Sequence, residues 1–410
     1  MEVYGCAANQ GDASIMQGIL MQHGHELVDN VREADAAIIV TCTVVATTEQ
    51  RMLNRIKELK DETNKIVVAG CMASAQPELV KKVAKNAILL PPRYVHHIVD
   101  VLNGGRKYYF MPKVGLPRKI DLRLNIPIAD GCIYNCSYCI TKKARGNLIS
   151  YPIKDIVRDV KGAVEKGCKE IRLTCQDTAS YGKDIGSNLA ELINEVASIE
   201  GEFRIRVGMM HPLSAYKIID ELIDAYSDKK VYKFLHLPLQ SASPKILKAM
   251  RRGYNYEMFK EIVEAFRKRY PDSTFATDII VAFPEESEED FEASVEAIRE
   301  LKPDVTNITR FSPRPHTDAW KMRRMPTQLA KERSAKLTCI ANEIAYENNR
   351  KCIGKIYNAL LLEKYKGYLI GKTDSYKSIF VGNGEIGKFV KVKAIDATPT
   401  HLNATYLNSN

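Results

Sequence analysis

The chain has 410 residues, 45% of them hydrophobic, enough for two to four domains that each bury a core. No run of eighteen apolar residues and no signal-like amino terminus occurs, so the sequence excludes a membrane-spanning helix, offers no membrane partner and points to a cytoplasmic protein. Ten cysteines are spread along the chain without a dense framework, which fits thiols kept for metal in a reducing compartment better than disulfides. The net charge of +10 is uneven: residues 1–309 are neutral overall, and the excess falls after that point. A localised excess of cations is the footprint expected for a phosphate backbone, with lysines on a solvated face as the ordinary alternative.

Residues 1–105 read as a parallel α/β sheet domain. Apolar runs at Glu2 to Gly5, Ala36 to Thr41, Lys65 to Gly70 and Ala87 to Leu90 are strand candidates, with helical patterns between them and a closing helix at Val95 to Leu102. One cysteine stands at the exit of each of the first three runs: Cys6, Cys42 and Cys71. The carboxyl ends of parallel strands share one edge of the sheet, so these three thiols should converge. A single such cysteine would be ordinary packing. Three at equivalent positions favour a cluster site. Gly104-Gly105 and the stretch from Pro112 to Pro117 read as linker.

The densest motif follows at Gly131-Cys132-Ile133-Tyr134-Asn135-Cys136-Ser137-Tyr138-Cys139. Three thiolates in one tight loop suit a soft metal. Structural zinc would want a fourth ligand from a second Cys or His pair, and none lies near in sequence. Three ligands to a four-iron cluster leave one iron open to a substrate, and that is the reading preferred here.

Residues 120–325 alternate short apolar runs with helices of twelve to sixteen residues. Strands are expected at Leu124 to Ala129, Glu170 to Cys175, Arg204 to Met209, Tyr232 to Leu237, Thr274 to Val281 and Val305 to Arg310. Six units in this length fall short of an eight-unit barrel, which needs ~250 residues, so a partial (β/α)6 TIM-like barrel with an open side is expected. Residues 326–349 read as a connecting helix, with its apolar stripe from Gln328 to Asn348. Residues 350–410 carry ten basic against four acidic side chains. Strand-like runs at Asn358 to Glu363, Tyr368 to Lys372, Ser378 to Val381 and Phe389 to Ala394 predict a small β-barrel of the oligonucleotide-binding kind.

The Cys132, Cys136, Cys139 spacing, with aromatic Tyr138 before the last thiol, resembles the radical S-adenosylmethionine (SAM) superfamily. The run from Cys139 to Pro152 resembles, more narrowly, the archaeal and eukaryotic methylthiotransferases that act on threonylcarbamoyladenosine in tRNA. So do Tyr4-Gly5-Cys6-Ala7-Ala8-Asn9-Gln10, Thr41-Cys42 and Gly70-Cys71. The resemblance spans the chain in order: a three-cysteine sheet domain, a radical SAM barrel and a TRAM domain that binds tRNA.

It implies two [4Fe-4S] clusters, one on Cys132, Cys136 and Cys139 that chelates SAM and an auxiliary one on Cys6, Cys42 and Cys71. It implies sulfur and methyl insertion at C2 of the modified adenosine: one SAM methylates a sulfur at the auxiliary cluster, and a second yields the 5′-deoxyadenosyl radical. Tyr138, Asp177, Gln240, Ser241 and Asp278 are the implied SAM contacts, Asp177 being a turn or cap residue on the ordinary reading. Arg145, Asn147, Arg314 and Trp320 are the implied substrate contacts, with Trp320 placed to stack on a base. His236 and Cys175 read as core residues, and one of Arg251 and Arg252 is expected to enter the site.

The implied partners are the tRNA anticodon stem-loop, an electron donor such as flavodoxin or ferredoxin, and a sulfur donor that the sequence does not identify. The chain departs from the family pattern at Val40, where Asn is common, and at Ala282, Glu285 and His316, where Gly is usual. Alternatives within the family are isopentenyladenosine tRNA or a ribosomal-protein aspartate as substrate. From another class, the alternative is a non-catalytic iron-sulfur or zinc RNA-binding protein.

Overall fold

The computed structural model describes residues 1–105 and 107–407, so the last three residues of the expected C-terminal domain lie outside the described ones. The chain divides into two compact units, one made of Met1–Cys168, Arg172–Asn188 and Ser312–Lys321, the other of Lys169–Ile171, Leu189–Phe311 and Met322–Asn410.

In the first unit, β1 (Glu2–Val3), β2 (Ala37–Thr41), β3 (Ile66–Gly70) and β4 (Ile88–Leu90) form one parallel sheet in sequential order. The two-residue period of the strands sorts their side chains. Ile38, Val40, Val67 and Ala69 face the helix α1 (Ala7–Gln22), whereas Ala37, Ile39, Ile66 and Val68 face α2 (Ala46–Glu62). Both sheet faces are therefore covered, and every residue of β2 and β3 is buried.

α1 is buried on more than one side, which explains its weak helical periodicity in the sequence. Its close approach to the segment before β5 (Arg123–Pro127) depends on Gly18. A Cβ there would stand 2.4 Å from the backbone N and Cα of Arg118.

Beyond β5 the chain forms a short antiparallel pair, β6 (Ala129–Asp130) with β7 (Ile149–Ser150), which brackets the three-cysteine loop and the helix Thr141–Arg145. The end of β8 (Glu170–Thr174) lies beside β5, with Ile128 N donating to Thr174 O at 3.0 Å.

A buried ion cluster joins α1 to this region. Lys113 Nζ lies 2.6 Å from Asp12 Oδ1 and 2.8 Å from Asp130 Oδ2, and Arg145 lies 2.7 Å from Asp12 Oδ2 and 3.1 Å from Asp130 Oδ1. The Tyr151 hydroxyl donates to Asp130 at 3.0 Å. Two carboxylates meet two cations with almost no exposure, so the cluster is neutral only when complete. Burial alone would raise the Asp130 pKa, but Lys113 and Arg145 outweigh it and hold the carboxyl below its usual range.

In the second unit, Arg204 N donates to Lys169 O at the start of β9 (Arg204–Val207), and a parallel bridge pairs Ile205 with Val231. β10 (Phe234–His236), β11 (Thr274–Val281) and β12 (Val305–Arg310) continue in parallel. All six expected strands of residues 120–325 thus form, and the connecting helix runs Thr327–Arg350. A closed barrel follows from β13 (Ile356–Tyr365), β14 (Tyr368–Thr373), β15 (Ser378–Val381), β16 (Phe389–Ala397) and β17 (Leu402–Tyr406), in the order β13-β14-β15-β17-β16. The fifth strand was not expected from sequence.

The β14–β15 turn fixes this barrel to the starts of the parallel strands. Asp374 pairs with Arg204 at 2.9 Å, Lys377 pairs with Asp304 at 2.6 Å, and the Tyr376 ring lies 4.8 and 4.7 Å from the rings of Tyr232 and Phe234.

Two stability predictions follow from the first unit. Arg145→Met leaves two buried carboxylates facing one ammonium and should cost ~3–5 kcal/mol in guanidinium unfolding of the metal-free chain, with Arg145→Lys losing less. Gly18→Ala should cost ~1–3 kcal/mol through overpacking, whereas Gly162→Ala, in the helix Ile153–Glu165 with nothing within 4 Å of the added methyl, should stabilise by ~0.5–1 kcal/mol.

Candidate functional site

The first unit brings Cys6, Cys42 and Cys71 to the carboxyl edge of the sheet. Cys6 is the N-cap of α1, Cys42 follows β2 directly, and Cys71 opens a short helix, Cys71–Ala75. A positive φ of 104° at Gly5 turns the chain so tightly that a Cβ there would lie 2.9 Å from the Cβ of Cys42. The thiols also sense one another. Burial is the main cause that pushes Cys71 up to about 11, with the charges of Cys6 and Cys42 adding and Arg145 opposing. Cys42 is raised by burial and by Cys6.

Asn9 organises this edge, a role the sequence reading missed. Its amide nitrogen donates to Tyr4 O at 2.8 Å and Thr41 O at 2.9 Å, while its oxygen lies 3.8 Å from Cys71 Sγ and accepts from Arg145 at 2.9 Å. One side chain therefore ties the turns of all three cysteines together. The available signal was its place one helical turn after Cys6.

Cys132, Cys136 and Cys139 sit in the loop between β6 and the helix Thr141–Arg145. Burial pushes Cys132 up to about 12, and the charges of Asp177, Cys139 and Cys136 add to it. Tyr134 N lies 3.4 Å from Cys132 Sγ, and Cys139 N donates to Cys136 O at 3.1 Å. Desolvated thiols that repel each other's charge are stabilised as thiolates by a bound metal, so both sets suit one.

Among the described residues, no three Cys, His, Asp or Glu side chains are grouped as ligands of one metal ion. A four-iron cluster asks for a wider triangle, since each thiolate binds its own iron. The two sets are linked by packing: Cys71 and Ala75 meet Ile140, the residue after Cys139, and Ala144 in the helix that follows it.

The remaining expected residues divide into several groups. Tyr138 is half-buried in the cysteine loop. Asp177 is buried and caps the turn Thr178–Ser180, accepting from Ala179 N at 3.1 Å, and its charge reaches Cys132. Arg145, expected at the substrate, is instead 2% exposed and held by Asp12, Asp130 and Asn9 beside Cys71. The partners come from residues far away in sequence, which is why spacing alone did not reveal them.

Asn147 is exposed, and its carbonyl accepts from Arg93. Arg314 is buried and donates through Nη2 to both oxygens of Glu49 at 2.8 and 2.7 Å, whereas its Nε and Nη1 have no partner. Glu49 also accepts from Thr43, the residue after Cys42. Trp320 is exposed, next to Ala319, whose N donates to Ser137 O in the cysteine loop at 2.8 Å.

The second unit carries the other polar set. Asp278 accepts from Asn307 at 2.7 Å and lies 3.1 Å from His236 Nε2, while His236 Nδ1 is 3.4 Å from Arg206. Each of β9, β10, β11 and β12 thus contributes one member, and His236 is part of a polar chain rather than an isolated core residue. Burial alone would raise the Asp278 pKa, but the His236 and Asn307 contacts hold it below the usual range.

Gln240 adopts a φ of 69°, its N donating to Asp278 O at 2.8 Å. Ser241 is fully buried, its Oγ lying 3.4 Å from Ser294 Oγ. Arg252 is buried against Tyr254 and Pro238, whereas Arg251 is exposed at a φ of 59°.

Comparison with known proteins agrees with this layout. The Radical SAM superfamily matches residues 126–298, the TRAM domain residues 350–407, and the uncharacterized protein family UPF0004 residues 1–90. A probable threonylcarbamoyladenosine tRNA methylthiotransferase of Methanocaldococcus jannaschii is 46% identical, covering 97% of this chain and 94% of its own. One from Pyrococcus horikoshii is 43% identical over 98% and 97%. The Homo sapiens threonylcarbamoyladenosine tRNA methylthiotransferase is 32% identical over 96% of this chain and 71% of its own.

Among solved structures, the radical SAM methyltransferase TsrM of Kitasatospora setae, with cobalamin and a [4Fe-4S] cluster bound, shares the fold at a TM-score of 0.57 and 14% identity, over 88% of this chain and 77% of that one. By its full-length relatives, this chain belongs to the radical SAM family of threonylcarbamoyladenosine tRNA methylthiotransferases.

Proposed function

We propose that the protein converts N6-threonylcarbamoyladenosine in tRNA to its C2-methylthio derivative, in the cytoplasm, with electrons from a donor of the flavodoxin or ferredoxin class. The observation that carries this reading is the pairing of two three-thiol sets in one compact unit, packed through Cys71, Ala75, Ile140 and Ala144. Cys132, Cys136 and Cys139 would hold a [4Fe-4S] cluster, which would supply the one-electron reduction that splits SAM, and Cys6, Cys42 and Cys71 would hold a second, which would offer a seat for the transferred sulfur. An unactivated aromatic C–H bond needs a radical, and the radical needs sulfur within reach.

The protein's own side chains hold these parts. Asn9 fixes the three sheet-edge turns and Arg145 sets a positive charge against Cys71. The unpartnered N–H groups of buried Arg314 suit the carboxylate of the threonylcarbamoyl group, and exposed Trp320 suits a stacked base. The names of the relatives support the same substrate, and the TRAM match supports tRNA as the partner.

Two variants separate the roles of the thiol sets. Cys136→Ala should abolish SAM cleavage, whereas Cys42→Ala should keep cleavage and lose the methylthio product. Anaerobically reconstituted wild type should hold about eight irons per chain and each variant about four. SAM cleavage at the wild-type rate in Cys136→Ala would refute the assignment. Mass spectrometry of tRNA nucleosides from cells with and without the gene checks the substrate, because a methylthio group on isopentenyladenosine, or on a ribosomal-protein aspartate, would replace this reading.

A further inference from the structure

At the amino-terminal ends of β11 and β12, where the C-terminal barrel docks, the second unit contains a cavity of about 340 Å³. Five cations line it: Arg267, Lys302, Lys351, Lys355 and Lys377. Two of them are matched by carboxylates, Lys355 by Asp272 at 2.8 Å and Lys377 by Asp304 at 2.6 Å. Arg267 donates only to the carbonyls of Leu301 and Lys302, which end the helix Glu288–Leu301. The ammonium groups of Lys302 and Lys351 meet no acceptor among the described residues. Three positive charges are therefore unmatched in one concave site.

The wall supplies a second, independent feature. Ser273 is only 8% exposed, lines the cavity, and its hydroxyl has no hydrogen-bond partner. A buried hydroxyl left unpaired costs roughly 1–3 kcal/mol unless something completes it. The hydroxyl is shielded from solvent as it stands; turned into the cavity, it would donate to an anion whose other oxygens meet the lysines.

We propose that this cavity binds a phosphate group of the tRNA backbone. The inference rests on the tRNA reading above and gives it a place of contact. Lys302, Lys351 and Lys355 are exposed, so the site is open to a continuing polymer. It also adjoins residues 350–410, which carry ten basic against four acidic side chains. It lies at the strand starts, whereas the chemistry of such barrels gathers at the strand ends, so it serves as an anchor for the RNA.

The test uses full-length holoenzyme and unmodified tRNA transcript, with binding read by fluorescence anisotropy between about 50 and 200 mM salt. Lys302→Gln with Lys351→Gln should weaken binding roughly tenfold at the low-salt end and make the slope of log K against log salt shallower by about two. Lys302→Arg with Lys351→Arg should bind as wild type. SAM cleavage without tRNA and the melting temperature should be unchanged in both, so a folding defect is not the cause. Ser273→Ala, which removes only the unpaired hydroxyl, should weaken binding without altering the slope.

Wild-type affinity and slope in the double Gln variant would overturn the site while leaving the methylthiotransferase reading intact. If inorganic phosphate raises the melting temperature of wild type but not of the double Gln variant, and tRNA affinity is equal in both, the pocket takes free phosphate and the backbone proposal fails. A wild-type protein with no salt-dependent affinity for tRNA would overturn both readings.

Discussion

The guanidinium of Arg145, buried among Asp12, Asp130 and Asn9, is the contact on which the arrangement of the first unit depends. Its partners come from α1, from β6 and, through Lys113, from the stretch between the sheet domain and the barrel strands. Charged groups removed from water are tolerated only when the set is complete, so each segment must be in place for the others to be stable. The constraint reaches the chemistry because Arg145 ends the helix that begins two residues after Cys139, and its charge acts on Cys71 and Cys6. The two thiol sets therefore share one positioning device, although about sixty residues separate Cys71 from Cys132.

The same priority of geometry over local preference shows at three loop positions where the family pattern has glycine. Ala282, Glu285 and His316 stand where glycine was the expected residue, and they adopt φ values of 58°, 66° and 65°. A side chain in this region costs roughly 1–2 kcal/mol relative to ordinary helical backbone. The loops keep the left-handed turn and bear that strain, which means surrounding contacts fix their shape. For Ala282 such contacts are visible: its N donates to Glu286 at 2.7 Å, and Glu286 is held by Arg333 at 2.7 Å. At Ala282 the cost of a side chain at this φ is thus borne by the contacts of Glu286 and Arg333.

How much of this was legible in the sequence follows from the range of each signal. Short apolar runs and cysteines at their ends are local features, and β2, β3, β11 and β12 lie where the apolar runs predict. Convergence of Cys6, Cys42 and Cys71 needed only the rule that parallel strands share a carboxyl edge. The ion cluster was out of reach, since residues 12, 113, 130 and 145 carry no shared spacing. His236 was set aside because its partners, Asp278 and Arg206, come from neighbouring strands in space but lie 42 and 30 residues away in the chain. β17 escaped because Leu402-Asn403-Ala404-Thr405-Tyr406 carries a short, weak alternation and gains its strand character from pairing with β16 and β15.

The charge distribution acquires a structural meaning from the second unit. Tyr376, Asp374 and Lys377, on one turn of the C-terminal barrel, grip the starts of the parallel strands, so this basic barrel is fixed to the strand starts. Further along the same strands, His236 at the end of β10 and Asp278 and Asn307 inside β11 and β12 form a polar chain. Backbone phosphates are bound by charge without regard to sequence, whereas a base is selected by shape and directed hydrogen bonds. The cations beside the barrel turn and the polar chain inside the strands are different side chains, so the two kinds of contact can be altered separately.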